Sequence, residues 1–216
     1  MSNERPRILV ADDHALIVEG LRRVLEPAFD IVGVATNGRD LVAQAEQLKP
    51  DIVLLDIGMP ILNGMEASRQ IKKLVPTAKL VFVTQKSDRS YVHIAFRNEA
   101  SGYILKQSLA SELIPALHEV LAGRFYVTPL VSKDIPQALL NPNRNPSELF
   151  GNSLTGRQRE VLQLVAEGKT GKEIAGILKI SPKTVEFHKS GIMEELGLRT
   201  TAELTRYAIE HGIVGE

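Results

Sequence analysis

The sequence contains no cysteine, which excludes disulfide bonds and thiolate metal ligands and suits a reducing cytoplasm. An excess of charge of either sign is also missing, because 26 Lys and Arg residues balance 26 Asp and Glu residues, so nothing global points to a polyanionic partner. No apolar run is long enough to span a bilayer, and the opening MSNERPRILVADD places two aspartates after a very short apolar stretch, unlike a signal peptide. We therefore expect a soluble, cytoplasmic protein with no membrane partner.

The first 123 residues alternate short apolar runs with longer segments of helical periodicity. The apolar runs are RILVADD, DIVGVAT, DIVLLD, KLVFVT and GYILK. Between them lie segments such as HALIVEGLRRVLE, whose apolar residues return at intervals of three and four. Five strands alternating with five helices predict an α/β domain with a doubly wound, five-stranded parallel sheet. In such a sheet the site lies beyond the carboxyl ends of the strands.

The rest of the chain divides into a linker and a small all-α domain. Residues 124–152 include NPNRNPSELFGNS, which is typical of a linker, and the segment PLVSKDIPQALL has room for a short helix. Residues 153–216 contain several signals for the starts and ends of helices. The start signals are the capping-box pairs Thr155–Gln158, Thr170–Glu173 and Thr200–Glu203, and the N-cap Ser181 before Pro182; the end signals are Gly168 and Gly197. These signals predict four helices near 156–167, 171–179, 182–195 and 201–211. The short connection between the middle two has the spacing of a helix-turn-helix.

Charged and polar residues follow four of the five predicted strands. Asp12 and Asp13 end the first strand, Asp56 the third, Thr84 the fourth and Lys106 the fifth. Taken singly, the aspartate pair is most simply a helix N-cap, the threonine reflects β-propensity and the lysine is solvated. Together they converge on one sheet edge, where three carboxylates suit a hard cation such as Mg²⁺. The lysine and the hydroxyl add what is needed to hold a phosphoryl group on an attacking aspartate.

These motifs resemble a known family. RILVADDH, DIVLLDIGMPILNG, VFVT and SGYILK resemble the receiver domain of two-component response regulators, which has a flavodoxin-like fold. The stretch LTGRQREVLQLVAEGKTGKEIAGILKISPKTVEFHKSGIMEELGL resembles the LuxR-type helix-turn-helix, and the two in this order resemble the NarL/FixJ class. The resemblance implies that Asp56 is the phosphoacceptor, loaded from a sensor histidine kinase. It also implies that Asp13 binds Mg²⁺ directly, that Asp12 assists, and that the backbone carbonyl of Gly58 is a further ligand.

The resemblance assigns the switch residues as well. Thr84 and Lys106 would hold the phosphoryl oxygens, and Tyr103 would be the aromatic switch that turns inward as Thr84 moves. Two neighbours depart from the commoner pattern: Gln85 stands where a small residue is usual, and Gln107 stands where many receivers have proline.

The second helix of the predicted helix-turn-helix, SPKTVEFHKSGIMEEL, would enter the major groove of double-stranded DNA. Val185, Ile192 and Leu196 recur at a spacing that faces inward, which leaves Lys183, Thr184, Glu186, Phe187, Lys189 and Ser190 facing outward. The predicted DNA contacts on this helix are Ser181, Lys183, Thr184, Phe187, Lys189 and Ser190. Thr170 and Lys172, at the preceding helix start, would bind phosphate. From Gly151 onward nine Lys and Arg residues meet nine Asp and Glu residues, so nonspecific attraction to DNA should be weak and a protein-binding role for these helices stays open.

Three functions compete on this sequence. The favoured one is a phosphorylation-switched transcription factor that forms a homodimer when phosphorylated and is not an enzyme. The second is an atypical regulator of the same fold that binds DNA independently of phosphorylation. The third is a Mg²⁺-dependent phosphohydrolase with Asp56 as nucleophile, but neither a general acid near it nor a substrate-covering cap is evident.

Overall fold

The computed structural model describes residues 5–132 and 154–214, and it begins with an α/β domain built on a parallel sheet. The strands are β1 Arg7–Ala11, β2 Asp30–Ala35, β3 Ile52–Leu55, β4 Lys79–Thr84, β5 Ala100–Leu105 and β6 Tyr126–Val127. All neighbouring strands pair in parallel, in the order β2-β1-β3-β4-β5-β6. The predicted fold class is therefore confirmed.

Helices cover both faces of this sheet. They are α1 Ala15–Leu25, α2 Gly38–Leu48, α3 Gly64–Leu74, α4 Arg89–Arg97 and α5 Leu109–Leu121, with a 3₁₀ turn at Lys106–Ser108. Two apolar layers result, because successive side chains of a strand point to opposite faces. Leu9, Val53 and Phe82 lie in one layer, whereas Ile8 and Leu54 lie in the other. Burial on both faces explains why the strands read as continuous apolar runs.

The sheet has six strands where five were predicted. β6 has only two residues, too few to give a periodic signal in the sequence, and it falls in the segment predicted as linker. It is followed by the four-residue helix α6, Pro129–Ser132, at the start of the segment where a short helix was expected. The remainder of the predicted linker, residues 133–153, lies outside the described residues.

The second domain consists of four helices near the predicted positions: α7 Gly156–Ala166, α8 Gly171–Leu178, α9 Pro182–Leu196 and α10 Thr201–Glu210. All three predicted capping boxes are formed, Ser181 caps α9, and Gly197 ends α9 with a φ of 66°. Val161, Ile174, Ile192 and Leu204 are among the side chains that form its separate apolar core. In the two described stretches of chain, no helix has both the length and the apolar character of a membrane-spanning segment.

Candidate functional site

The polar groups predicted at the strand ends form one cluster. Asp12 follows β1 and is 1% exposed, and Asp56 follows β3 and is 6% exposed. The ammonium of Lys106, directly after β5, lies 2.8 Å from Oδ2 of Asp56 and 2.7 Å from Oδ2 of Asp12. Burial on its own would lower the pKa of Lys106, but its bonds to the two carboxylates outweigh burial and raise that pKa. Lys106 is therefore a fixed positive charge between two buried carboxylates.

Asp13 and His14 complete the acidic edge of this cluster. Nδ1 of His14 lies 3.0 Å from Oδ1 of Asp12 and 2.9 Å from Oδ1 of Asp13, and the backbone N–H of His14 donates to the same Asp12 oxygen. One ligand atom from each of these three residues and from Asp56 lies within 4.8 Å of the others.

This donor set fits Mg²⁺. Oδ2 of Asp12 is buried, and among the described residues its negative charge is compensated by the ion pair with Lys106. A hard divalent cation takes such carboxylate oxygens as ligands, together with backbone carbonyls and water. Asp12, Asp13 and Asp56 would hold such an ion, and the cation would neutralise charge on a phosphoryl group bound here.

The segment after Asp56 turns sharply to begin α3. Oδ1 of Asp56 accepts a hydrogen bond of 2.6 Å from the N–H of Ile57, and a Cβ added at Gly58 would lie 3.8 Å from the other carboxylate oxygen. A Cβ at Gly64 would lie 2.0 Å from the carbonyl oxygen of Asp56, so the first residue of α3 has to be glycine. The predicted metal ligand Gly58 therefore lies beside the predicted acceptor.

Thr84 and Tyr103 are both buried behind this cluster. Thr84 is 1% exposed, and its hydroxyl accepts a hydrogen bond from the N–H of Lys86. Tyr103 is fully buried, and its hydroxyl donates to the carbonyl of Lys86 at 2.6 Å. Burial, with Tyr91, Asp56 and Asp88 nearby, raises the pKa of Tyr103, so the hydroxyl remains a donor at neutral pH. Both predicted switch residues thus bond to the same backbone segment, at Lys86.

The predicted DNA-reading residues lie on α9 and at its start. Val185 and Ile192 face the core of the domain, as predicted. Lys183, Phe187 and Ser190 are exposed, with 75% of Phe187 accessible, whereas Thr184 and Lys189 are partly buried.

Two of the predicted DNA contacts, Ser181 and Thr170, also serve as helix caps. The hydroxyl of Ser181 accepts from the N–H of Thr184, and the two hydroxyls are 2.8 Å apart. Thr170 caps α8 through its capping box with Glu173, and Lys172 is exposed in the first turn of that helix. The hydroxyls of Ser181 and Thr170 are therefore shared with the backbone of their own helices.

The sequence did not predict a contact between the two domains. Arg159 on α7 pairs with the buried Glu66 on α3 at 2.9 Å, and Glu160 pairs with Arg39 on α2 at 2.9 Å. Gln163, which is 1% exposed, bonds to the backbone of the loop that follows Asp56. The available signal was the recurrence of Glu160, Gln163 and Glu167 at three and four residues, which gives α7 a polar stripe.

Two family models match the chain, and together they cover most of it. The response regulator receiver domain matches residues 8–118, and the luxR family of bacterial regulatory proteins matches residues 152–208. The transcriptional regulatory protein MctR of Rhizobium johnstonii is 35% identical over 99% of this chain and 98% of its own. The nitrate/nitrite response regulator NarL of Escherichia coli K12 is 34% identical over 94% of this chain and 95% of its own.

Among solved structures, two RcsB dimers bound to two parallel DNAs give a match with a TM-score of 0.57 and 25% identity. It covers 94% of this chain and 98% of the RcsB chain. A receiver fold with an acidic strand-end cluster, followed by a helix-turn-helix, defines a response regulator with a DNA-binding output domain. This chain belongs to the NarL/FixJ class of that family.

Proposed function

We propose that this protein is a transcription regulator whose binding to double-stranded DNA is switched by phosphorylation of Asp56. A sensor histidine kinase would be the donor. The observation that carries the proposal is the position of Lys106, which forms ion pairs with both Asp56 and Asp12 inside an acidic cluster that fits Mg²⁺. This is the charge arrangement that a phosphoryl group on Asp56 requires.

In the proposed transfer, a carboxylate oxygen of Asp56 attacks the phosphorus of a phosphohistidine. The new O–P bond forms as the P–N bond breaks, and the imidazole leaves with the electron pair and takes up a proton. Lys106 and the hydroxyl of Thr84 would hold the phosphoryl oxygens, and Mg²⁺, held by Asp12, Asp13, Asp56 and the carbonyl of Gly58, would neutralise their charge.

In its active form the protein would bind DNA as a homodimer, with α9 in the major groove. The residues that would contact the groove and its phosphates are the exposed Lys183 and Phe187, together with Thr184, Lys189, Ser190, the helix caps Ser181 and Thr170, and Lys172. The dimer and the DNA are supported by the family and by a related structure of RcsB dimers on DNA. Acting on DNA, such a regulator would work in the cytoplasm.

Incubation with acetyl phosphate and Mg²⁺, followed by intact-protein mass spectrometry, tests the proposal. We expect one acid-stable, base-labile acyl phosphate per chain and no sustained release of phosphate from an added phosphomonoester. Multiple turnover of the phosphomonoester would instead indicate the phosphohydrolase, and an unmodified chain would remove the basis of the switch.

A further inference from the structure

A cavity of about 70 Å³ lies between helices of the two domains. The receiver domain contributes residues of α3 and α4 to its lining, and the helical domain contributes residues near the start of α7 and the end of α10. One water-sized group needs about 10–15 Å³ of such a space, so the cavity has room for roughly five to seven non-hydrogen atoms. None of the residues proposed above for Mg²⁺, phosphate or DNA belongs to its lining.

The charged side chains of the lining carry more positive than negative charge. Oε2 of the buried Glu66 accepts hydrogen bonds from Nη1 of Arg69 and from Nε of Arg159, both at 2.9 Å. Both arginine side chains are themselves mostly buried. Among the described residues of the lining, Glu66 is the single acidic side chain. One carboxylate therefore has to compensate two guanidinium groups.

This excess of positive charge is unfavourable for the arginines. Burial, together with the nearby Arg159, lowers the pKa of Arg69, although the ion pair with Glu66 acts in the opposite direction. Burial and Arg69 likewise lower the pKa of Arg97 on α4. A lowered pKa means that the charged form of a guanidinium is destabilised, and a second negative charge beside Arg69 would offset this.

The lining also offers hydrogen-bond donors that no protein oxygen uses. Nε and Nη1 of Arg69 and of Arg159 all donate to protein oxygens, whereas Nη2 of each makes no hydrogen bond within the described part of the chain. The hydroxyls of Tyr91 and Tyr207, which also line the cavity, likewise have no such bond to a described residue. Burial raises the pKa of both tyrosines, so these hydroxyls stay protonated and can donate. Unused donors beside an excess of positive charge favour a ligand with anionic oxygens.

The rest of the lining is largely apolar, which limits the kind of anion that fits. Met65 and Leu154 are buried, Ile94 packs against the core of the receiver domain, and Ile213 packs against the core of the helical domain. A phosphate or sulfate ion would place polar oxygens against these side chains, which is unfavourable. A carboxylate with a short aliphatic chain would instead bury apolar surface there.

We propose that this cavity is a binding site for a short aliphatic carboxylate of about six non-hydrogen atoms. Nη2 of Arg69 and Nη2 of Arg159 donate to the carboxylate oxygens of the ligand, and its hydrocarbon chain packs against Met65 and Ile94. Charge-assisted hydrogen bonds from guanidinium groups are the strong ones, so they provide most of the specificity for an anion. The proposal does not depend on phosphorylation of Asp56.

Calorimetric titration of the full-length chain with butyrate at neutral pH tests the site. Butyramide, which has the same shape without the charge, and inorganic phosphate, which has the charge without the hydrocarbon chain, are titrated in parallel. We expect butyrate to occupy one site per chain and to bind at least about tenfold more tightly than either of the other two, because charged hydrogen bonds and apolar contact are both needed. Bound butyrate should also raise the midpoint of thermal unfolding.

Two variants locate the site. Arg69→Gln removes one of the two proposed guanidinium donors and leaves the ion pair between Glu66 and Arg159 in place, so we expect butyrate affinity to fall at least about tenfold. Ile94→Phe fills part of the cavity without changing its charge, and it should abolish binding. The matched controls are Arg23→Gln and Val24→Phe at exposed positions of α1, which should bind butyrate as the native chain does. Circular dichroism checks the fold of each variant.

The proposal is wrong if butyrate shows no saturable binding, or if folded Arg69→Gln and Ile94→Phe bind it as tightly as their controls. Butyramide that binds as tightly as butyrate would show that the arginines do not recognise charge. Phosphate that binds as tightly would show that the apolar lining does not select the ligand, and either result would contradict the proposed class of ligand. If one variant fails to fold, the other still decides whether the site lies in this cavity.

Discussion

At the scale of single residues, the decisive feature is one ammonium shared by two buried carboxylates. A carboxylate at the edge of a core loses contact with water, so its negative charge has to be stabilised by an opposite charge or by hydrogen bonds. For Asp56, the ion pair with Lys106 and the hydrogen bond from the N–H of Ile57 provide this stabilisation. The net pKa of Lys106 is raised, so its positive charge is present throughout the physiological pH range. This pairing fixes the position of the Asp56 carboxylate in the site.

The substitution Asp56→Asn should abolish incorporation of phosphate while the fold is retained. The two side chains are nearly isosteric, and the change removes only the anionic oxygen that attacks phosphorus. Mass spectrometry after acetyl phosphate treatment measures incorporation, and circular dichroism checks the fold. Asp30→Asn, at an exposed aspartate that begins β2, is the control and should be labelled normally. Full labelling of the Asp56 variant would show that the acceptor is elsewhere.

The substitution Asp13→Ala should cost far more Mg²⁺ affinity than Asp30→Ala. Asp13 contributes one of the carboxylate oxygens that converge within 4.8 Å, whereas Asp30 lies at the start of a strand, away from this edge. Removing one of three neighbouring negative charges also relieves repulsion, so the metal-free variant should unfold at a slightly higher temperature. Calorimetric titration measures the affinity, and identical isotherms for the two variants would count against the metal site.

At the scale of elements, the strands, the helices and their caps follow from local chemistry. The apolar runs become buried strands, and Thr155, Thr170 and Thr200 each begin a helix through a capping box. The convergence of Asp12, Asp56 and Lys106 was also predictable, because parallel strand ends meet at one sheet edge. Their mutual distances were not, since those depend on how the loops turn.

Two other features could not be predicted, for physical reasons. β6 has too few residues to show the alternation of apolar and polar residues that marks a strand in a sequence. Thr128 beside it is nevertheless fully buried, and its hydroxyl accepts a hydrogen bond from the N–H of Leu105 and donates one to Glu112. The docking of α7 depends on long-range pairs such as Arg159 with Glu66, which are 93 residues apart. A single sequence gives no indication that two such residues are partners.

Charge reversal on the reading helix should change DNA binding in a defined way. Lys189→Glu should weaken binding to all duplexes, because it replaces a positive charge at the proposed groove surface, whereas Lys73→Glu on α3 is the matched control and should have little effect. Glu195→Lys should raise nonspecific affinity, and each phosphate newly neutralised adds roughly 0.9 to the slope of log affinity against log salt. Fluorescence anisotropy at several salt concentrations measures both.

Phe187→Ala should reduce the preference for one DNA sequence over another more than it reduces nonspecific affinity. The loss in binding free energy should be about 1–3 kcal/mol for each good base contact removed. The exposure of this aromatic side chain is the reason for choosing it. If all three α9 variants bind every duplex as the native chain does, α9 is not the reading helix, and a protein-binding role for the helical domain becomes the better interpretation.

At the scale of the whole molecule, we expect the contact between the domains and the proposed dimer to compete for the last helix, α10. Ile209 and Val214, at the end of α10 and just beyond it, border a cleft against the receiver domain. The last helix, in AELTRYAIEHGIV, has an apolar side on which two chains could pair, so a chain whose domains are in contact there should be monomeric. Sedimentation velocity with Mg²⁺ and beryllofluoride should show a dimer, and Asp56→Asn should stay monomeric. A native chain with unchanged mass and shape would contradict a phosphorylation-driven dimer.

The most direct test of the central claim is the DNA affinity of the full-length chain before and after loading of Asp56. A target duplex is first selected from random DNA with the loaded protein, and its affinity is then measured by fluorescence anisotropy with and without Mg²⁺ and beryllofluoride. We expect the native chain to bind this duplex more tightly when loaded, and Asp56→Asn to bind it equally under both conditions. Equal affinity of the native chain in both states, with loading verified by mass spectrometry of the acyl phosphate, would contradict the switch and indicate a regulator that binds DNA independently of phosphorylation.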